Sequence, residues 1–274
     1  MRYRRFGFAR GVVPNRMALR DTGSIVLILI VSVDVQKDGL YVDIVGYTER
    51  GCNFSVDFKW IEGSVEQFGG PWEELSKLIQ SDFVDEDGRR YRPMITLVDS
   101  GHYTSWVYAF CSQFSYGVYA CKGQEWIKDG APYQLFSPGT LKQIGLPLAY
   151  HINTGLLKDR ISSEMNRLFW NDGQLQPAWY PNFPEDFGDD YFKMYEAEEK
   201  IDIISKDTRK YVKTIWRQKF GADNHAFDTR VYNKGALEIF ADDICRQELR
   251  CGALDWNAFW RYAKDFKAFY RDAD

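Results

Sequence analysis

Histidine and cysteine are scarce in this chain: three and five among 274 residues, with no two cysteines in a CxxC pair. Odd in number and without such a pair, the cysteines suggest neither a zinc knuckle nor a disulfide framework, and fit a reducing compartment. Cationic excess is missing too. A formal net charge of -4 excludes a strongly basic, indiscriminate nucleic-acid binder, so any hold on phosphate must come from local patches or from metal ions. The prominent apolar run, Ile25 to Val33, is nine residues, far short of the roughly 20 that a membrane-spanning helix needs, and no membrane partner is expected. The basic N-terminal stretch MRYRRFGFARGVVPNRMALR lacks the continuous apolar segment of a secretory signal. No internal repeat and no low-complexity tract is present.

What is there is a well-stocked core. Hydrophobic residues make up 45% and aromatic ones 16%, which excludes a disordered chain. The chain is organised around SIVLILIVSVDVQKDG, Ser24 to Gly39: a run rich in Ile and Val, closed by a Lys-Asp-Gly turn, expected as a central strand buried on both faces. It ends on one carboxylate, Asp34. An ionised Asp in that position is costly without a positive partner, and no Lys or Arg lies closer in sequence than Lys37. A bound metal ion is one solution; the other is that Asp34 sits just beyond the apolar layer and accepts turn amides.

Residues 1–23 show no sustained periodicity and are expected as an arm or linker, with one domain over 24–274 ending in helices. The arm contains Asp21-Thr22-Gly23, the aspartic-protease tripeptide, but once only and after no apolar strand, so a turn is expected. Leu40 to Thr48 and Asn53 to Ile61 complete a three-stranded antiparallel meander. Pro71 opens a helix through Ser81 with Trp72, Leu75, Leu78 and Ile79 on one face. The run Asp85-Glu86-Asp87-Gly88 reads as a surface turn. Tyr91 to Asp99 repeats the opening theme of apolar strand then Asp, and the intervening helix makes it parallel to an earlier strand. If that neighbour is the first strand, Asp34 and Asp99 emerge at the same sheet edge, where open α/β sheets place their sites.

Further on, Thr104 to Phe114 is expected as a helix, Val118 to Cys121 as a strand, and Leu148 to Ile152 as a strand after a polar loop of about twenty residues. Thr154 is read as the cap of a helix through Phe169, Pro177 to Pro184 as irregular, and Asp189 to Lys200 as a short acidic helix. The basic stretch Lys206 to Lys219 suits a strand or hairpin, either a solvated face or a phosphate-tracking surface. Asp223 or Asn224 caps a long helix with Asp228 in its first turn, where a carboxylate also suits the helix dipole. Leu254 to Tyr270 is a final amphipathic helix.

Three antiparallel strands, helix, strand, helix, strand, then helices, with lone carboxylates after the first and fourth strands and at the start of a late helix, is the ribonuclease H-like plan: an α/β fold with a mixed sheet flanked by helices. In that plan the three places converge on two divalent ions. Mg²⁺ prefers oxygen ligands, and three carboxylates offset the charge of two cations about 3.5–4 Å apart. Their mutual repulsion predicts a site that is loose without metal.

The segments VDVQKDGL (33–40), VDSG (98–101) leading into TSWVYAFC (104–111), Lys122-Gly123 and NHAFDTRVY (224–232) resemble the nuclease domain of the phage terminase large subunit of the GpA type, from about Ser24 to Leu249. The resemblance implies that Asp34, Asp99 and Asp228 bind two Mg²⁺ or Mn²⁺ ions in an endonuclease that cuts concatemeric double-stranded viral DNA during packaging. It implies the cytoplasm of a bacterial host, and as partners an ATPase motor domain, a small terminase subunit and a portal. The sequence has no GxxxxGK[ST] loop, so it is expected to cut and not to translocate. Lesser candidates are His102, contacting the scissile phosphate or relaying a proton, or else a surface residue at a helix start; His225, as a metal ligand or a surface residue of the capping region; and Lys122 and Lys158, on DNA phosphates or merely solvated. The rival readings are a junction resolvase or transposase of the same fold, and a catalytically silent module docking DNA or a portal-like ring.

Overall fold

Strand β1, Ile28–Gln36, is the axis of a computed structural model that describes residues 16–17, 26–85, 88–127, 133–139, 149–165, 170–171, 174–175, 181–184, 186–266 and 270–271. In chain order there follow β2 (Gly39–Tyr47), β3 (Asn53–Glu62), α1 (Pro71–Gln80), β4 (Pro93–Asp99), α2 (Thr104–Cys111), β5 (Val118–Gln124), β6 (Phe136–Pro138), β7 (Ala149–Asn153) and α3 (Thr154–Met165). Beyond these come β8 (Pro181–Asn182), α4 (Asp189–Glu196), β9 (Glu198–Ile204), β10 (Tyr211–Gln218), α5 (His225–Gln247) and α6 (Trp256–Phe266), besides short strands outside the main sheet.

Eight strands form one mixed sheet in the order β8-β3-β2-β1-β4-β5-β7-β6. The meander β1-β2-β3 is antiparallel, whereas β4 lies parallel to β1, β5 to β4 and β7 to β5. This is the ribonuclease H-like arrangement. Helix α5 packs across β1, β2 and β4, while α1 and α2, joined by the Trp72–Phe110 ring contact at 5.0 Å, cover the other face. β1 is therefore buried from Ile28 through Val35, the condition its run of Ile and Val anticipates.

Helix α5 is fixed to the sheet by polar contacts placed two residues apart along β1. Ser32 Oγ donates to the Thr229 carbonyl at 2.7 Å, and Asn233 Nδ2 donates to the Ile30 carbonyl at 3.2 Å while its Oδ1 accepts from Tyr47 at 2.9 Å. Arg230, only 1% exposed, reaches through the same interface to Asp43 Oδ2 at 2.8 Å and Ser55 Oγ at 2.6 Å. These buried bonds set the helix's rotation, and so the direction of its first turn.

Several expectations are corrected. The first strand runs past Val33, so Asp34 lies within it rather than after it. Asp85 is buried and accepts from the Tyr91 hydroxyl at 3.0 Å, so it is not part of a surface turn; Glu86 and Asp87 lie outside the described residues. Asn153, not Thr154, caps α3: its Oδ1 accepts the Leu156 amide at 3.1 Å, while Thr154 Oγ1 donates back to the Gln124 carbonyl. The acidic helix stops at Glu196, because the following residues pair as β9 with the basic β10 in a separate hairpin. Part of the long polar loop is strand β6, antiparallel to β7. Asp21-Thr22-Gly23 and most of the expected arm lie outside the described residues; Arg16–Met17 pairs in parallel with Val84 and Asp85. None of the five cysteines, all among the described residues, is in a disulfide.

Candidate active site

The parallel register of β1 and β4 pairs Val33 with Val98, so the next residues, Asp34 and Asp99, leave adjacent strands at one edge and on one face. Asp228 joins them from the first turn of α5. Burial pushes the Asp99 carboxyl up to about 6, and the charges of Asp34 and Asp228 push in the same direction, against partial relief from the Gly101 amide and the Tyr232 hydroxyl. The charges of Asp34 and Asp228 are thus felt at Asp99.

Each has protein partners. Asp34, 6% exposed, accepts from Gln36 Nε2 at 3.0 Å on both oxygens, and His225 Nδ1 lies 2.7 Å from its Oδ2. Burial alone would lower the His225 pKa, but the hydrogen bond and charge of Asp34 outweigh it, so the net shift is upward and favours the imidazolium. Tyr41, opposite Asp34 in the ladder, stacks on that imidazole with centroids 4.1 Å apart. Asp99 Oδ1 accepts the Gly101 amide at 3.0 Å. At Asp228, the Lys158 ammonium is 2.8 Å from Oδ1 and the Asn224 amide donates to Oδ2 at 2.8 Å. Burial pushes the Asp228 carboxyl up and the Lys158 ammonium pulls it back. Lys158 and Asn224 both also bind Glu198 Oε1. Asp228 and Asp34 thus lie against the protein's own cations, partners that the argument from repulsion alone leaves out.

Two candidates stand elsewhere than expected. Lys158 is buried between Glu198 and Asp228, hence neither solvated nor turned to a phosphate. His225 is tucked against Asp34 and Tyr41, so it is not a residue of the helix surface; Asn224, at the helix start, makes no side-chain cap bond and serves Asp228 instead. His102 and Lys122 are exposed. Lys122 sits on β5 one residue beyond Cys121, the partner of Asp99. The next residue, Gly123, is required to be small: a Cβ there would lie 2.9 Å from both the Tyr232 hydroxyl and Thr154 Cγ2. Gln36, Tyr41, Asn224 and Glu198 were not anticipated. Gln36 alone had a local signal, since two residues along a strand share a face with Asp34.

Hard carboxylate oxygens on one edge are the donor type that Mg²⁺ and Mn²⁺ take. Among the described residues, however, no three His, Cys, Asp or Glu side chains already form a closed metal-binding group. The protein's own ammonium and imidazole instead lie against two of the three carboxylates.

The family model of the terminase large subunit gpA endonuclease domain matches residues 1–247. The chain belongs to that family. Membership gives this gpA-type domain a nuclease role in viral genome packaging and makes DNA its substrate. Neither the curated proteins nor the solved structures give a match.

Proposed function

We propose that this chain is a divalent-cation-dependent endonuclease that cuts concatemeric double-stranded DNA, with Asp34, Asp99 and Asp228 as the carboxylates that take up a pair of Mg²⁺ or Mn²⁺ ions. The observation carrying the reading is the convergence of these three residues from β1, β4 and α5, where the charges of Asp34 and Asp228 add to burial in raising the Asp99 pKa. Bound there, such cations would activate a water and stabilise the departing 3′-oxygen of a phosphodiester.

The chain's own groups have separate tasks. Gln36 and His225 orient the Asp34 carboxylate, as outer-shell partners orient ligands. Asn224 and Lys158 hold Asp228, and Gly101 holds Asp99. Lys122, exposed at the end of β5, is placed to meet a phosphate near the edge. In the packaging reading the partners are a motor ATPase domain, a small terminase subunit and a portal, in the cytoplasm of a bacterial host.

The test is cutting of supercoiled plasmid with Mg²⁺ or Mn²⁺. Cleavage should stop with a chelator and be abolished by Asp34→Ala and Asp228→Ala in protein that circular dichroism shows to be folded. Cleavage that persists in either variant, or that ignores the chelator, would overturn the assignment. A silent docking module would show neither cutting nor carboxylate-dependent heat on Mn²⁺ titration.

A further inference from the structure

Among the described residues the β9–β10 hairpin pairs with no strand of the main sheet, yet its root is joined to the site. Glu198, its first residue, is buried and shares Lys158 and Asn224 with Asp228. Its flanks are docked by other pairs. Lys213 Nζ lies 3.0 Å from Glu125 and 4.1 Å from the Trp126 ring centroid, just beyond β5. Trp216 Nε1 donates to Asp159 of α3 at 2.8 Å, and Lys200 pairs with the same carboxylate. The arm is thereby braced against both elements that border the carboxylates.

Its cations fall into two groups. Lys200, Lys213, Arg217 and Lys219 are engaged, the last two by Glu199 and the Glu196 carbonyl. Lys206, Arg209 and Lys210 at the tip are exposed, and no ion pair engages them among the described residues. Asp207 offsets one of their three charges. Arg209 also adopts φ 57°, a left-handed conformation that Gly or Asn would fill with less strain. Its planar guanidinium faces solvent, and bidentate phosphate recognition is what arginine does best.

We propose that this hairpin is a DNA-gripping arm of the site, with Lys206, Arg209 and Lys210 binding the phosphate backbone of duplex DNA alongside the carboxylate edge. The proposal rests on the nuclease reading. Seven residues of strand set the tip about 20 Å from Glu198, the axial span of about six base pairs, so the arm holds duplex at a distance from the scissile bond.

The experiment measures duplex binding by fluorescence anisotropy, in chelator, across a salt series. Arg209→Glu with Lys210→Glu should weaken binding at least about tenfold at low salt and flatten the log–log salt slope by about 2. Lys77→Glu with Lys264→Glu, an equal change of net charge on α1 and α6, should leave the slope as in wild type. Arg209→Gly, which removes the backbone strain, should raise the melting temperature and still flatten the slope by about 1. Wild-type slopes in both tip variants, or equal loss in the α1/α6 variant, would overturn the arm. If wild type cuts plasmid while the tip variants bind normally, only this inference falls; if wild type neither binds nor cuts DNA, the nuclease reading falls with it.

Discussion

His225 Nδ1 lies 2.7 Å from Asp34 Oδ2 across 191 residues of sequence. β1 brings a carboxylate to the sheet edge with no cation near it in the chain, and α5 supplies one from its first residue. The Ser32, Asn233 and Arg230 contacts that fix α5 against β1 and β2 therefore also set the approach of this imidazole. Helix docking and carboxylate orientation are one event.

Replacing that imidazole tests the orientation. His225→Gln should slow cleavage by about 10–100-fold, the usual cost of losing an outer-shell partner of a ligand, read as single-turnover plasmid cutting. The stability effect has its own pH window. The folded-state pKa of His225 is raised above the ordinary 6.5, so its contribution is fully present below that value and is lost as pH rises through the raised one. Urea denaturation should show wild type and variant separated at pH 6 and converging in more alkaline buffer.

Asp99 gives the opposite substitution effect. Its pKa is raised from 3.8 to about 6, first by burial and then by the neighbouring carboxylates, so its contribution is present below about pH 4 and is lost as pH rises through about 6. In chelator at pH 7, Asp99→Asn should stabilise the protein by about 1–3 kcal/mol, and the gain should vanish near pH 4. A variant no more stable than wild type at pH 7 would show that the charge at Asp99 is already relieved by the protein.

The sequence reveals the sheet edge better than it reveals what surrounds it. Asp34, Asp99 and Asp228 stand out because each is a lone carboxylate at the end of a strongly periodic element, and strand adjacency follows from the right-handed crossover. Lys158 and His225 are visible in the sequence as candidates, but their surroundings are not. Their environment depends on the rotation of α3 and α5 about their own axes, which is decided by buried contacts such as Ser32 with Thr229 and not by local pattern. Glu198 was hidden for a different reason: the acidic run 189–200 has helical character, and only pairing with Tyr211–Gln218 turns its end into a strand. Tertiary pairing there outweighs local propensity.

The Arg230–Asp43 pair predicts a structural loss rather than a catalytic one. Arg230 is bonded to Asp43 at 2.8 and 3.2 Å, and also to Ser55 and Asn53, in full burial. Asp43→Ala should cost about 3–5 kcal/mol by leaving the guanidinium buried and unpaired, while Asp43→Leu with Arg230→Met should recover most of that loss. Urea denaturation of the single and double variants reads the difference. Because Arg230 lies two residues beyond Asp228, the double variant also tests whether apolar packing alone keeps α5 in place: cation affinity should be retained if it does.

Lys158 separates charge neutralisation from simple packing. Its ammonium serves Glu198 and Asp228 together; burial would lower its pKa, and the two carboxylates more than reverse that, so it stays charged. Lys158→Met leaves two acidic groups facing each other and should cost about 3–5 kcal/mol in chelator. Adding Glu198→Gln should return part of that, since only Asp228 then lacks a counter-charge. A ligand that binds the folded state stabilises it in proportion to the logarithm of its concentration over Kd. A cation that replaces the lost ammonium should therefore raise the melting temperature of Lys158→Met more than that of wild type at equal Mn²⁺. The added Asp228→Asn change should erase the excess. An equal or smaller rise in Lys158→Met would mean that Lys158 braces α3 against the hairpin without sharing its place with a metal ion.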